Sequence, residues 1–194
     1  MKTIVLTGGI ASGKTSAGKI FESLGAIFIN ADDLVTKLYK KKEIKKILVK
    51  NFGKTVASDK VNKKELAKIV FSDKKKLKKL NSLIHPLVFN EIQKKLLQHK
   101  KTSKLIVIEI PLFFEAKSKT KPDYVITVSC EKNLQLNRLE KKGLSKEQAI
   151  ARMNSQLSVK EKEKKADFVV KNNGHLSSLK AQVKKIFETI NSLT

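Results

Sequence analysis

Eight consecutive residues near the start of the chain, Gly8, Gly9, Ile10, Ala11, Ser12, Gly13, Lys14 and Thr15, carry the spacing G-x-x-x-x-G-K-[ST]. A loop of this composition can turn successive backbone N–H groups toward phosphate oxygens. Gly8 and Gly13 remove the side chains that would block the approach. Lys14 can reach the outer phosphates, and Thr15 offers a hydroxyl to Mg²⁺. The loop, with Ser16 after it, therefore predicts a nucleoside triphosphate site, with ATP and Mg²⁺ as the expected ligands.

Such a loop works only where a strand hands over to a helix, because the helix N-terminus contributes the partial positive charge that faces the phosphates. Both flanks qualify. Thr3, Ile4, Val5 and Leu6 read as a short buried strand, and Ala17, Ile20, Phe21 and Leu24 recur at helical spacing up to Gly25. Further apolar runs predict strands near 26–29, 104–109, 124–128 and 167–170, beside the first near 2–6. Helices fill most of the intervals. Short Ile- and Val-rich strands alternating with helices indicate an α/β fold with a doubly wound, five-stranded parallel sheet covered on both faces.

Ligands of such sheets gather at the carboxyl ends of the strands, so the acids there become candidates. Asn30, Ala31, Asp32 and Asp33 follow the second strand, and Glu109 ends the third, with Glu115 shortly beyond. Asp32 is the first choice for a general base that orients an attacking hydroxyl and takes its proton. Capping of the next helix is the alternative role for Asp32 and Asp33. Glu109 is either a metal-shell acid, acting through water, or the polar end of a strand.

The chain has 194 residues, 40% of them hydrophobic, which suits one domain with insertions. Its formal charge is +24, yet Arg138 and Arg152 are the two arginines among its 42 basic residues. Lysine runs within 40–46 and 74–79 read as solvated surface, and no specific nucleic-acid partner is expected, since base and phosphate forks favour arginine. Two arginines close together in a lysine-rich chain point either to a need for a guanidinium fork against phosphate or to ordinary surface ion pairs. The one cysteine, Cys130, excludes an internal disulfide and reads as a small buried hydrophobe rather than a nucleophile. No apolar run is long enough to span a membrane, and a cytoplasmic location with no membrane partner is expected. His99 and His175 have no metal-ligand partners in the sequence pattern.

Taken in order, these landmarks resemble the dephospho-CoA kinase family over almost the whole chain. The resemblance rests on Leu6, Thr7, Gly8, Gly9 and Ile10 entering the phosphate loop, Ala31-Asp32, Leu80-Asn81 with His85-Pro86, and Pro111-Leu112 with Glu115. It continues through Gln135 with Arg138, Arg152 with Gln156, and Ala166-Asp167 ahead of Asn172, Asn173 and Gly174. It implies transfer of the γ-phosphoryl of ATP to the ribose 3′-hydroxyl of dephospho-CoA, the last step of coenzyme A synthesis, with Mg²⁺. It further implies Asp32 as base with Thr7 beside it, Arg138 on the ATP phosphates, and Asn172, Asn173 and Gly174 near the adenine. Asn81, His85, Pro86, Pro111 and Leu112 are assigned to the substrate side, with His85 and Pro86 opening a helix. The implied organisation is a P-loop core at about 1–30, 103–137 and 166–194, a helical CoA-binding insertion at about 31–102 and a helical lid at about 138–165. A monomer or weak homo-oligomer is expected.

The chain departs from the family pattern at Asn30 and Glu109, where Asp is usual, at Thr36, where a basic residue is frequent, and near Lys141 and Lys142, where a second arginine is common. Two other readings compete with this one: another small-molecule or nucleotide kinase, and a basic nucleic-acid-binding P-loop ATPase.

Overall fold

Each apolar run becomes a strand: β1 (Lys2–Gly8), β2 (Ile27–Asn30), β3 (Leu105–Glu109), β4 (Tyr124–Ser129) and β5 (Phe168–Lys171). The computed structural model describes residues 1–101, 105–116 and 118–193. Among these residues, the five strands form one sheet in the order β2-β3-β1-β4-β5, and every pairing is parallel. The α/β class with a five-stranded parallel sheet is as expected. Positions 103 and 104, where the second core segment and the third strand are expected to begin, lie outside the described residues.

Alternation along the strands decides what each sheet face buries. One face presents Ile4, Leu6, Val107, Ile126, Val128 and Val170, which form a continuous core with Ala17, Ile20 and Phe21 of helix α1 (Lys14–Ser23) and with Leu179, Val183, Ile186 and Ile190 from the C-terminal helix. The other face buries Val5, Ile106 and Ile108. There Thr127 Oγ1 donates to the main-chain carbonyl of Lys162. Register places Asn30 opposite Glu109 and Glu109 opposite Leu6, so the polar ends of three strands lie side by side where β1 turns into the glycine loop.

The chain divides into two compact units, one comprising Met1–Asn30 and His99–Thr194, the other Ala31–Gln98. The second unit contains α2 (Ala31–Leu38), α3 (Lys42–Phe52), a single 3₁₀ turn at Lys54–Val56, α4 (Lys63–Phe71) and most of α5 (Lys74–His99). Each helix buries one apolar stripe, as with Ile44, Leu48 and Phe52 on α3 or Leu80, Ile84, Val88 and Ile92 on α5. Asn62 caps α4 through its side-chain oxygen, which accepts from the Glu65 N–H at 3.1 Å. In the first unit, α6 (Lys132–Glu140), α7 (Lys146–Asn154) and α8 (Val159–Lys164) follow β4, and α9 (Leu176–Ser192) closes the chain. Capping boxes open α7 (Ser145 with Gln148) and α8 (Ser158 with Glu161).

One expectation is corrected. Pro86 does not open a helix; it lies inside α5, a helix of 26 residues. Proline there removes one N–H and with it the bond to the carbonyl four residues back, that of Ser82. Both Ser82 and Pro86 are exposed, so water can satisfy that carbonyl, while Ile84 and Val88 on the buried stripe keep the helix running through.

Phe21 is fully buried between α1 and the sheet, whereas Phe71 at the end of α4 is 74% exposed. Phe21→Ala should cost about 3–5 kcal/mol of unfolding free energy in a urea titration, while Phe71→Ala should fall within about 0.5 kcal/mol of the parent.

Candidate active site

The glycine loop owes its path to backbone conformations that side chains resist. Gly8 has φ 145° and Gly13 has φ 97°. A Cβ at Gly8 would run into the Val128 carbonyl of β4, and one at Gly13 into the side-chain amide of Asn172. Ala11, at φ 56°, adopts the left-handed region without the glycine exemption. Its carbonyl accepts from Arg138 Nη1 at 3.2 Å, one of the bonds that hold this conformation.

The loop is gripped by its own Lys14 and by side chains from elements far apart in sequence. Lys14 Nζ, on the first residue of α1, reaches back to the carbonyls of Gly8 (3.3 Å) and Gly9 (2.8 Å). Arg138 on α6 spans the Ala11 carbonyl, the Asn172 carbonyl (3.1 Å) and the Cys130 sulfur (3.3 Å). Asn172, just past β5, donates from Nδ2 to the Ser12 carbonyl at 2.8 Å. Gln156, between α7 and α8, accepts the Ile10 N–H at 2.9 Å. The loop is thus held in shape mostly through its carbonyls, with the Ile10 amide the exception, which leaves most of its amides for an anion.

Beside the loop, Thr15 Oγ1 donates toward both Glu109 oxygens (3.1 and 3.0 Å), and Asn30 Nδ2 donates to Glu109 Oε2 at 2.8 Å. Glu109 is buried at 4% exposure. A hydroxyl and a carboxylate, beside amides that would bring phosphate oxygens close, suit Mg²⁺, which takes oxygen ligands, keeps waters and needs few from the protein. Among the described residues, no group of three or more His, Cys, Asp or Glu is arranged to hold a metal by itself.

The other candidates are spread more widely. Thr7 Oγ1 donates to the Pro111 carbonyl at 3.2 Å, which ties the last turn of β1 to the segment after β3. Leu112 in that segment is 43% exposed. Asn173 exchanges bonds with Glu131, its Oδ1 accepting the Glu131 N–H at 2.9 Å and its Nδ2 donating to Oε1 at 3.0 Å, and Gly174 continues the same turn toward α9. Ser16 is exposed on the first turn of α1. Asp32 stands two residues after Asn30, in the first turn of α2, with its carbonyl accepting from Thr36 Oγ1 at 3.0 Å. Asn81, His85 and Pro86 lie along α5. Arg152 is exposed on α7.

Several contributors to this site are given no site role by the residue pattern. Gln135 is buried with its amide against Gly9, and with Gly9, Ile10, Cys130, Gln156 and Val159 it lines a cavity of about 290 Å³. Lys162, one lysine among many on α8, is fully buried. Cys130 is buried as expected, and burial pushes its thiol pKa up, partly offset by the Arg138 guanidinium.

Two outcomes follow from this geometry. Gly13→Ala should weaken ATP binding by at least about 10-fold in calorimetry, because both the left-handed backbone and the Asn172 contact are lost. Since a raised pKa keeps Cys130 as the thiol at pH 7.5, its reaction with a disulfide reagent should run at least about 10-fold slower in the native protein than in urea.

The profile of the family described as dephospho-CoA kinase matches residues 2–178. Curated relatives with that name are 37% identical over 190 residues in Fusobacterium nucleatum, covering 96% of this chain and 97% of the relative, and 34% identical in Aquifex aeolicus, covering 98% of each. Among solved structures, the dephospho-CoA kinase of Campylobacter jejuni superposes with TM-score 0.70 at 32% identity over 97% of this chain and 96% of its own. TT1252 from Thermus thermophilus gives TM-score 0.84 at 28% identity over 100% and 98%. A shikimate kinase from Acinetobacter baumannii shares the fold alone, with TM-score 0.58 at 15% identity, covering 100% of this chain and 95% of its own. The phosphate loop, the acid at the end of β3 and the full-length similarity agree: this chain belongs to the dephospho-CoA kinase family.

Proposed function

We propose that the protein transfers the γ-phosphoryl group of ATP to the ribose 3′-hydroxyl of dephospho-CoA, giving coenzyme A and ADP in the cytoplasm. The observation that carries this reading is the glycine loop with Lys14 and Thr15 in place, in a chain of this family. The substrate 3′-oxygen attacks the γ-phosphorus, the bond to the β–γ bridging oxygen breaks, and ADP departs with that electron pair. The hydroxyl proton passes to the carboxylate of Asp32.

Little covalent chemistry is asked of the protein, so positioning and charge dominate. Loop amides from Gly9 to Ser16 receive the phosphates, Lys14 neutralises their outer charge, and Thr15, with Glu109 through water, holds Mg²⁺. Bound there, Mg²⁺ offsets charge on the phosphate oxygens. Arg138 supports this arrangement from behind, since its guanidinium engages the Ala11 and Asn172 carbonyls. Asn172, Asn173 and Gly174 line the adenine side. Asn81, His85 and Pro86 of the helical segment at about 31–102 are assigned to the CoA moiety, Thr7, Pro111 and Leu112 are likewise assigned to the substrate, and the segment at about 138–165 acts as a lid.

The decisive assay is ADP release from Mg·ATP with dephospho-CoA, beside nucleoside monophosphates, shikimate, pantothenate and RNA, with the product identified by mass. Turnover is expected with dephospho-CoA alone. Asp32→Ala should lower kcat by at least about 100-fold with an unchanged melting temperature. A full rate in that variant, or turnover of another acceptor only, would refute the assignment.

A further inference from the structure

Among the described residues, the most deeply buried basic side chain touches the glycine loop. Lys162 on α8 has a side chain 0% exposed. Its ammonium lies 2.8 Å from Glu115 Oε1, 3.3 Å from the Pro111 carbonyl and 3.4 Å from the Gly8 carbonyl. Three protons thus meet three acceptors among the described residues. Glu115 Oε1 also accepts the Leu157 N–H at 3.0 Å, while Oε2 is buried without a hydrogen-bond partner among the described residues. Such a pair is costly to bury, and a well-packed apolar pair would serve stability as well or better. Retention of two charges here points to a use for them.

Geometry supplies that use. The Gly8 carbonyl accepts from two ammonium groups, Lys162 at 3.4 Å and Lys14 at 3.3 Å. A peptide group is planar, so holding this oxygen also fixes the plane of the Gly8–Gly9 bond at the point where β1 becomes the loop. The seat on which the Lys14 ammonium rests is therefore built partly by Lys162. Two cations on one oxygen would repel each other. Glu115, at 2.8 Å from Lys162, cancels one of them.

We propose that Lys162, neutralised by Glu115, is a positioning residue for phosphoryl transfer: it holds the Gly8 carbonyl in the orientation that seats the Lys14 ammonium. A lysine placed this way acts through Lys14 rather than on substrate, and its loss should cost turnover more than affinity. The inference rests on the dephospho-CoA kinase reading. Wild-type turnover measured alongside separates failure of that reading from failure of this one.

The test compares Lys162→Met/Glu115→Met with Glu115→Gln by melting temperature and by kcat and KM for ATP. The double variant removes both charges at similar volume. It should melt within a few degrees of the parent yet show kcat lowered by at least about 10-fold, with KM for ATP changed by less than about 3-fold. A parent-like kcat in the stable double variant would mean that the pair only supports the fold, and would overturn the proposal. Glu115→Gln keeps the hydrogen bonds to Lys162 and Leu157 but leaves the ammonium uncompensated beside Lys14. It decides the matter if the double variant does not fold: the uncompensated charge should lower the melting temperature, and kcat, measured well below that temperature, should drop by at least about 5-fold, whereas an unchanged kcat would overturn the proposal.

Discussion

The Gly8 carbonyl is the point on which the site depends. Here β1 stops pairing and the chain turns into the phosphate loop, at a backbone angle of φ 145° with the Val128 carbonyl where a side chain would need to be. Glycine permits that conformation without selecting it. Selection comes from Lys14 and Lys162 on the carbonyl, from the β1–β4 pairing that ends at Gly8 opposite Val128, and from the buried strands beneath. A loop that must present most of its amides to an anion is best restrained through its carbonyls and flanks, and the bonds from Arg138 and Asn172 do this.

This organisation explains why the two arginines have different settings. Arg138 satisfies three acceptors at once across α6, the loop and the turn after β5, which needs the planar fork that lysine lacks. Its role in shaping the loop was not legible in the sequence, which suggested a guanidinium aimed at phosphate. Carbonyl acceptors leave no trace in residue type, since every residue has one. Arg152, exposed on α7, shows no comparable geometry.

The departures at Asn30 and Glu109 form one unit. Asn30 donates to Glu109, and Glu109 accepts from Thr15, across the carboxyl ends of β2 and β3 and the start of α1. The Asn30 amide supplies a donor to the buried Glu109 carboxylate, where a second acid would repel it.

Much of this protein was readable without coordinates because it depends on local chemistry. Short apolar runs marked the strands and period-3.6 spacing marked α1, glycines at Gly8 and Gly13 marked the loop, and acids at strand ends marked the polar rim. The interior position of Pro86 was not, because the exposed Ser82 face of α5 and its buried Ile84–Val88 stripe emerge only with packing. Strand order, the grip of Gln156 and Asn172 on the loop, and the burial of one lysine among forty were not readable either. Residue type and spacing along the chain determined the elements and the phosphate chemistry, since these follow from side-chain and backbone preferences within a few residues. Why Lys162 is buried, which carbonyls the guanidinium finds and what holds the loop in shape depend on groups up to 160 positions apart, and only tertiary packing brings those together.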